Sequence, residues 1–302
     1  MVTDAIELTD LARRFGGTAA LDDVSLTIPT GSICGLLGRN GAGKTTLMSI
    51  VSGQDRPDTG RVRVLGEHPF ENERVLSQLS FIRDNQRYPD GYRLRHVLRI
   101  APEYAPNWSS ELAAELVEGL RIPEKTHIKK FSRGQLSAVA IVLGLASRSP
   151  LTLLDEPYLG LDVTARTLFH RALLRDVGEH PRTILLSTHL VDESEALFDR
   201  VVILERGRVR VDSAAEEISE LAFTASGMAD AVAALTARRP VLSRHSTGEL
   251  AAATVRGPLD EEARDEARRL GVRTAPASLQ ELVEAHGEHR TIDPAGEREM
   301  LS

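Results

Sequence analysis

The sequence predicts an α/β fold: a mostly parallel sheet covered by helices, with a helical insert and a small C-terminal α/β appendage. Three observations predict it. The run SICGLL, residues 32–37, is almost wholly apolar and stops at Gly38, where a glycine-rich loop and a helical pattern follow at once. Similar runs return at LTLLD (151–155), TILLST (183–188) and VVILE (201–205), with helical sequence between the first two. Strands this apolar are buried on both faces, as in a parallel sheet under helices. From about Tyr92 to Ser149 the apolar spacing becomes helical, which places an insert between two strand regions.

The elements follow in order. ELTDLARRF and DDVSLTIP, within the first 29 residues, alternate apolar and polar positions as strands do. In KTTLMSIVSG, Leu47, Ile50 and Val51 fall at helical spacing and Gly53 closes the helix. In SSELAAELVEGLRIP, Leu112, Leu116, Val117 and Leu120 share a face, Ser109 or Ser110 caps the start, and Pro123 discourages continuation. Beyond residue 214 the composition shifts to Ala, Glu and Arg. SAAEEISELA, MADAVAALTARR, LDEEARDEARRLG and SLQELVEAHG read as helices, with weak strands at ELAAATVRG and VRTAP. The polar end, EHRTIDPAGEREMLS, reads as frayed. The expected division is 1–214, with its helical part at about 82–149, and an accessory domain over 215–302.

Composition narrows the function. The 302 residues hold 37 Lys and Arg against 44 Asp and Glu, a net charge of -7. Surfaces that neutralise phosphate chains are usually strongly basic, so direct nucleic-acid binding is not expected. The longest apolar stretch, Ala138 to Ala146, is far short of the roughly 20 residues of a membrane-spanning helix. The first 15 residues carry early acids and no signal-like apolar run. Cys34 is the only cysteine, which rules out an internal disulfide and fits a reducing compartment.

Two motifs carry chemistry. Gly38-Arg39-Asn40-Gly41-Ala42-Gly43-Lys44-Thr45 fits G-x-x-x-x-G-K-[ST] and lies between an apolar strand and a helix. Glycines let the backbone curl so that successive N–H groups face one anion, and the helix N-terminus adds positive potential. Lys44 can reach β- and γ-phosphates, and the Thr45 hydroxyl can help hold Mg²⁺. The second motif is the strand LTLLD followed by Glu156 and Pro157. Asp155 at the strand's end would sit near the metal, and Glu156 could accept a proton from an attacking water. An ordinary glycine turn or a strand running into an acidic turn explains either alone. Together they describe a P-loop NTPase.

Phe131-Ser132-Arg133-Gly134-Gln135, ending 20 residues before Asp155, resembles the LSGGQ signature of ATP-binding cassette (ABC) proteins. Over about residues 5–210 the chain resembles the ATPase subunit of an ABC transporter. The resemblance implies that Gly38 through Thr46 bind ATP and that Phe15 stacks on adenine in place of a Tyr. It places Asp162 in the D-loop and His189 at the γ-phosphate as the switch histidine, and it sets Ser132, Gly134 and Gln135 against the nucleotide of a second chain. Arg133 stands where the family has Gly, and the Q-loop pattern would put Gln at Asp84, with Gln86 two residues further on. The implied partners are a second cassette, most simply an identical chain, and a separate membrane permease. The implied location is the cytoplasmic face of the membrane. The run Tyr104-Ala-Pro-Asn-Trp108 resembles exporters of the ABC-2 type, linked to efflux of antibiotics or small molecules. A soluble regulatory ATPase acting on nucleic acid or ribosomes is the alternative. It fits less well, since Ser132 follows Lys44 by only 88 positions, too few for a long coiled coil, and there is a single phosphate loop.

Weaker features have bland readings. Tyr88, Tyr92, Tyr104 and Trp108 suit either core packing or a docking face. His286 and His289 read as a solvated tail rather than a metal site, Cys34 as a small core hydrophobe, and LDEEARDEARR as a solvated helix face.

Overall fold

The computed structural model describes residues 4–83 and 86–287. The chain divides between Ala215 and Glu216 into two compact units. The first opens with strands β1 (Asp4–Phe15), β2 (Thr18–Pro29) and β3 (Ile33–Leu37), then helix α1 (Lys44–Val51). Strand β4 (Thr59–Val64), a helical turn α2 (Glu73–Leu76) and β5 (Leu79–Arg83) lead to α3 (Leu94–Tyr104), α4 (Ser110–Gly119) and α5 (Arg133–Ala146). Then come β6 (Leu151–Asp155), α6 (Val163–Glu179), β7 (Thr183–Ser187), α7 (Val191–Ser194), β8 (Arg200–Glu205) and β9 (Arg208–Ala214).

Six strands form the main sheet in the order β5-β6-β7-β3-β8-β9, parallel except for β9. Every residue of β3, β6 and β7 is buried, as their apolar sequences require. A separate antiparallel sheet, β2-β1-β4, lies over α1. Ile6, Leu11 and Leu21 from that sheet, Leu47, Met48 and Ile50 from α1, and Leu36, Leu153 and Leu185 from the main sheet form one core. The helix is therefore apolar on both sides and is held between two sheets.

Strand order positions the chemistry. Leu36 pairs with Ser187, and Ser187 pairs with Asp155, so the ends of β3, β7 and β6 share one row. In open α/β sheets that carboxyl edge is where ligands bind.

Cys34 lies in β3 with no exposed surface, and burial pushes its thiol up to about 12. A thiol reagent at neutral pH should therefore react about a thousandfold faster with the unfolded chain than with the native one. Equal rates in buffer and in denaturant would show that the sulfur is accessible.

The second unit begins with α8 (Ile218–Leu221) and continues β10 (Ala222–Met228), α9 (Ala229–Thr236), β11 (Val241–Thr247), β12 (Leu250–Arg256), α10 (Glu261–Leu270), β13 (Arg273–Pro276) and α11 (Leu279–Gly287). Its sheet runs β11-β12-β10-β13 with all pairs antiparallel. Phe223, Val232, Leu235, Val255, Ala263 and Ala267 make its core.

Three sequence readings change. The helix expected over SAAEEISELA is shorter and irregular: β9 extends to Ala214 because its residues pair with β8, Ala215–Glu217 form a 3-10 turn and Ile218–Leu221 are α-helical. Strands β10 and β11 have no counterpart in the sequence reading. His286 is buried on α11 with Leu279, Leu282 and Val283, so it belongs to an apolar helix face rather than to a solvated tail. His289 and the stretch 288–302 lie outside the described residues, among which no His, Cys, Asp and Glu cluster could hold a metal.

Candidate active site

After Leu37 the chain turns directly through Gly38–Gly43 into α1. Two of these glycines have no substitute. Gly38 has φ +139°, and a Cβ there would lie 2.2 Å from the Leu204 carbonyl; at Gly43, φ +110°, it would lie 2.5 Å from the Ala20 carbonyl. Side chains would be strained in both places and would also meet backbone, so the loop stays pressed against its neighbours. Arg39, Asn40 and Gly41 are exposed, while Ala42 is buried and its carbonyl accepts from the Gly207 N–H at 2.9 Å.

Helix α1 starts differently from α4, α5 and α6, whose first turns are capped by the side chains of Ser109, Ser132 and Asp162. Its N-cap is Gly43, with no side-chain cap. The N–H groups of Lys44, Thr45 and Thr46 thus have no intrahelical acceptor, and the helix dipole adds to their pull on an anion.

Lys44 is only 6% exposed and folds back over the loop. Its Nζ donates to the Gly38 carbonyl at 2.6 Å and to that of Arg39 at 3.4 Å. Burial lowers the pKa of this ammonium, and the charges of Glu156 and Asp155 oppose the shift. Glu156 Oε1 stands 3.8 Å from Nζ, near enough for Coulomb attraction and too far for a hydrogen bond. That oxygen is buried and has no hydrogen-bond partner among the described residues. The other carboxylate oxygen, Oε2, lies 2.7 Å from His189 Nδ1.

Ser187 joins the two acids. Its hydroxyl donates to Asp155 Oδ1 at 2.6 Å and lies 3.1 Å from the Glu156 N–H, whose other acceptor is the Ser187 carbonyl at 3.2 Å. Glu156 itself has φ +51°, an uncommon conformation for a residue with a side chain, and it turns the carboxylate back toward Lys44. A hydroxyl on Thr45 and a carboxylate on Asp155 are hard oxygen donors of the kind Mg²⁺ takes, and Glu156, next to Asp155 in the chain, keeps one buried oxygen without a hydrogen-bond partner among the described residues. The residues present fit that cation.

Gly38 through Thr46, Asp155, Glu156 and His189 thus belong to one edge of the sheet. The other sequence-predicted residues fall elsewhere in the unit. Phe15 is 51% exposed at the β1–β2 turn, with the Arg13 guanidinium 4.6 Å from its ring centroid. Asp55 and Asp58 hold Arg13 there at 2.9 Å each, so one ring face carries a fixed cation. Ser132 caps α5: its hydroxyl accepts from the Gln135 N–H at 3.2 Å, and Gln135 Oε1 accepts from the Ser132 N–H at 2.9 Å. The Gln135 carboxamide oxygen is thereby used within its own helix. A Cβ on Gly134 would lie 2.1 Å from the Gly160 carbonyl, and Ser137 donates to the Leu159 carbonyl at 2.6 Å, so α5 is seated on loop 156–162. Asp162 accepts from the Ala165 N–H at 2.8 Å and caps α6. Gln86 lines a cavity of about 380 Å³ with Tyr88, Tyr92, Tyr104 and Trp108, and its Oε1 is buried there without a hydrogen-bond partner among the described residues. Asp84 lies outside the described residues.

Sequence reasoning assigned no role to Ser187, Gly160, Ser137 or Arg13. Ser187 had a visible signal, since it ends an apolar strand two residues before His189. The other three act through contacts between distant segments.

Residues 21–159 match the family described as ABC transporter. The chain is 34% identical over 263 residues to the methionine import ATP-binding protein MetN of Rhizobium johnstonii, covering 83% of this chain and 71% of that one. It is 32% identical over 210 residues to the Nod factor export ATP-binding protein I of the same organism, covering 68% and 67%. Among solved structures, it resembles the ATP binding subunit of an ABC transporter with a TM-score of 0.64 and 27% identity, covering 71% of this chain and 91% of that one.

Proposed function

The chain belongs to the family of ABC transporter ATP-binding proteins, and on that premise we propose which residues carry its ATPase reaction and what the reaction drives. The uncapped start of α1 and Lys44 hold the phosphates, and Phe15 offers its open ring face to the base. Thr45 and Asp155 would hold Mg²⁺, which supplies charge neutralisation on the β- and γ-phosphates. Glu156 takes the proton of the water that attacks the γ-phosphorus while the bond to the bridging oxygen breaks. His189 fixes the orientation of that carboxylate. The observation that carries this reading is the Glu156 carboxylate, with one oxygen bound to His189 at 2.7 Å and the other buried without a hydrogen-bond partner among the described residues, 3.8 Å from the Lys44 ammonium.

The start of α5 is capped within its own chain by the side chains of Ser132 and Gln135. We infer a second cassette, of the same sequence in the simplest case, whose Ser132 hydroxyl and Gly134 N–H complete the site. ATP then favours the closed pair, and loss of the γ-phosphate removes the shared charge that holds it.

Among the described residues no helix is long and apolar enough to cross a membrane. We propose that the driven element is a separate permease and that this chain docks at its cytoplasmic side, as the ABC transporter family suggests. The cavity lined by Tyr88, Tyr92, Tyr104 and Trp108 is the docking face, because Tyr104 is 80% exposed and aromatic side chains favour interface centres. Export of a small molecule is the direction proposed, on the run Tyr104–Trp108; the relatives matched are named for import and for export alike. The test is copurification with a multi-span membrane protein encoded beside this one. Trp108→Ala combined with Tyr104→Ala should weaken that association about tenfold or more while ATP affinity stays unchanged. Retained association in the double variant would place the docking face elsewhere.

A further inference from the structure

Loop 156–162 and the segment after His189 meet at a cluster of buried polar groups. Tyr158 is 2% exposed, and its hydroxyl lies 3.3 Å from Ser194 Oγ and 3.1 Å from His170 Nε2. Ser194 ends α7 and also donates to the Leu190 carbonyl at 2.9 Å, so it is tied into the segment that starts at His189. A second link runs beside the first. Arg166 Nη1 donates to the Leu161 carbonyl at 3.1 Å, and the same guanidinium pairs with Glu193 at 2.7 Å.

Packing alone does not call for the Tyr158 hydroxyl. The ring sits edge-on to Phe169 at 5.5 Å, a contact that phenylalanine would keep. Burying a hydroxyl costs stability unless it is hydrogen-bonded, so the group must be held by its partners. One order satisfies every member: a His170 N–H to the Tyr158 oxygen, the Tyr158 O–H to Ser194, and the Ser194 O–H to Leu190. Burial lowers the pKa of His170, which favours the neutral ring with a single N–H that this order uses.

We propose that Tyr158 is a positioning residue for hydrolysis: through Ser194 its hydroxyl makes the His189 segment follow the loop that begins at Glu156. The proposal rests on the ATPase reading and adds a residue to it. Its physical content is a chain of contacts. Helix α5 sits on Leu159 and Gly160, Tyr158 lies in the same loop, and Ser194 links that loop to the segment whose His189 grips the Glu156 carboxylate. A shift of α5 on closing around ATP is then passed to the orientation of the general base.

Tyr158→Phe keeps the ring and removes only the tie. With ATP turnover measured on the full chain, kcat should fall about fivefold, with the KM and binding affinity for ATP within about twofold of the parent. Ser194→Ala should behave alike, and the double variant should be no worse than either single one, because the two act as one unit. In a His189→Ala background, followed by single-turnover hydrolysis, Tyr158→Phe should add nothing. The proposal is overturned by an unchanged kcat, by losses that multiply in the double variant, by a fall that persists without His189, or by a loss of ATP affinity. A parent chain that binds ATP and never hydrolyses it would instead remove the ATPase reading on which the proposal stands, before any variant is compared.

Discussion

Glu156→Gln should lower ATP turnover by about 10²- to 10⁴-fold, the range general bases contribute, while ATP still binds. Glutamine has the same shape, so its carboxamide oxygen can keep the position 2.7 Å from His189 Nδ1. Its nitrogen then occupies the place of Oε1, 3.8 Å from Lys44 Nζ, where a carboxylate oxygen now stands buried without a hydrogen bond. An amide there cannot accept the proton of water. Geometry is preserved and basicity is lost, which separates a chemical role from a structural one. The groups that hold the phosphates, the start of α1 and Lys44, are untouched, and removing a negative charge beside the γ-phosphate should hold or raise affinity. Closed dimers should persist longer in ATP, visible as a dimer peak in gel filtration that phosphate release no longer dissolves. Unchanged hydrolysis in this variant would reject Glu156 as the base.

The phosphate loop and the acid pair were legible because each is a local pattern at the end of a strand. An apolar run sets where the strand stops, and the residues that follow emerge at the sheet's edge whatever the strand order. Their convergence was not legible from spacing. It arises because β7 lies between β3 and β6, which brings Ser187 level with both Leu36 and Asp155 across the sheet. The resemblance places His189 near the phosphates, and the structure adds that it grips Glu156.

Other features were hidden for different reasons. Strand β11, VLSRHST, has two apolar residues and four exposed ones at its end, so its pairing with β12 leaves little hydrophobic signature. The resemblance makes Asp162 a D-loop residue and Gln135 a nucleotide contact, yet their spacing before Ala165 and after Ser132 is that of helix caps, and each makes its cap bond. A cap and a ligand contact draw on the same polar residues, and sequence alone does not divide them. The seating of Gly134 on Gly160 is a meeting of two backbones 26 positions apart, which no periodic pattern records.

Lys44→Ala should weaken ATP binding by about 10- to 100-fold, because a hydrogen bond to a charged group is worth about 1.5–3 kcal/mol and each 1.4 kcal/mol is a factor of ten. The side chain is held by the Gly38 carbonyl at 2.6 Å, so its charge sits at the loop before any nucleotide arrives and little conformational freedom is lost on binding. Lys44→Arg should not rescue it: the site exposes only 6% of the lysine, and the wider planar guanidinium has no room to reproduce a compact ammonium. Binding of AMP should change much less than binding of ATP, since the contact is assigned to the β- and γ-phosphates. Removing Lys44 also leaves the Glu156 carboxylate facing the phosphates without the cation now 3.8 Å away, so part of the lost affinity is new repulsion. The double variant Lys44→Ala with Glu156→Gln should therefore bind ATP more tightly than Lys44→Ala alone, a coupling measurable by calorimetry with a non-hydrolysable analogue. Equal affinities in the single and double variants would mean that the carboxylate does not face the phosphates, and an unaltered affinity in Lys44→Ala would count against the phosphate site itself.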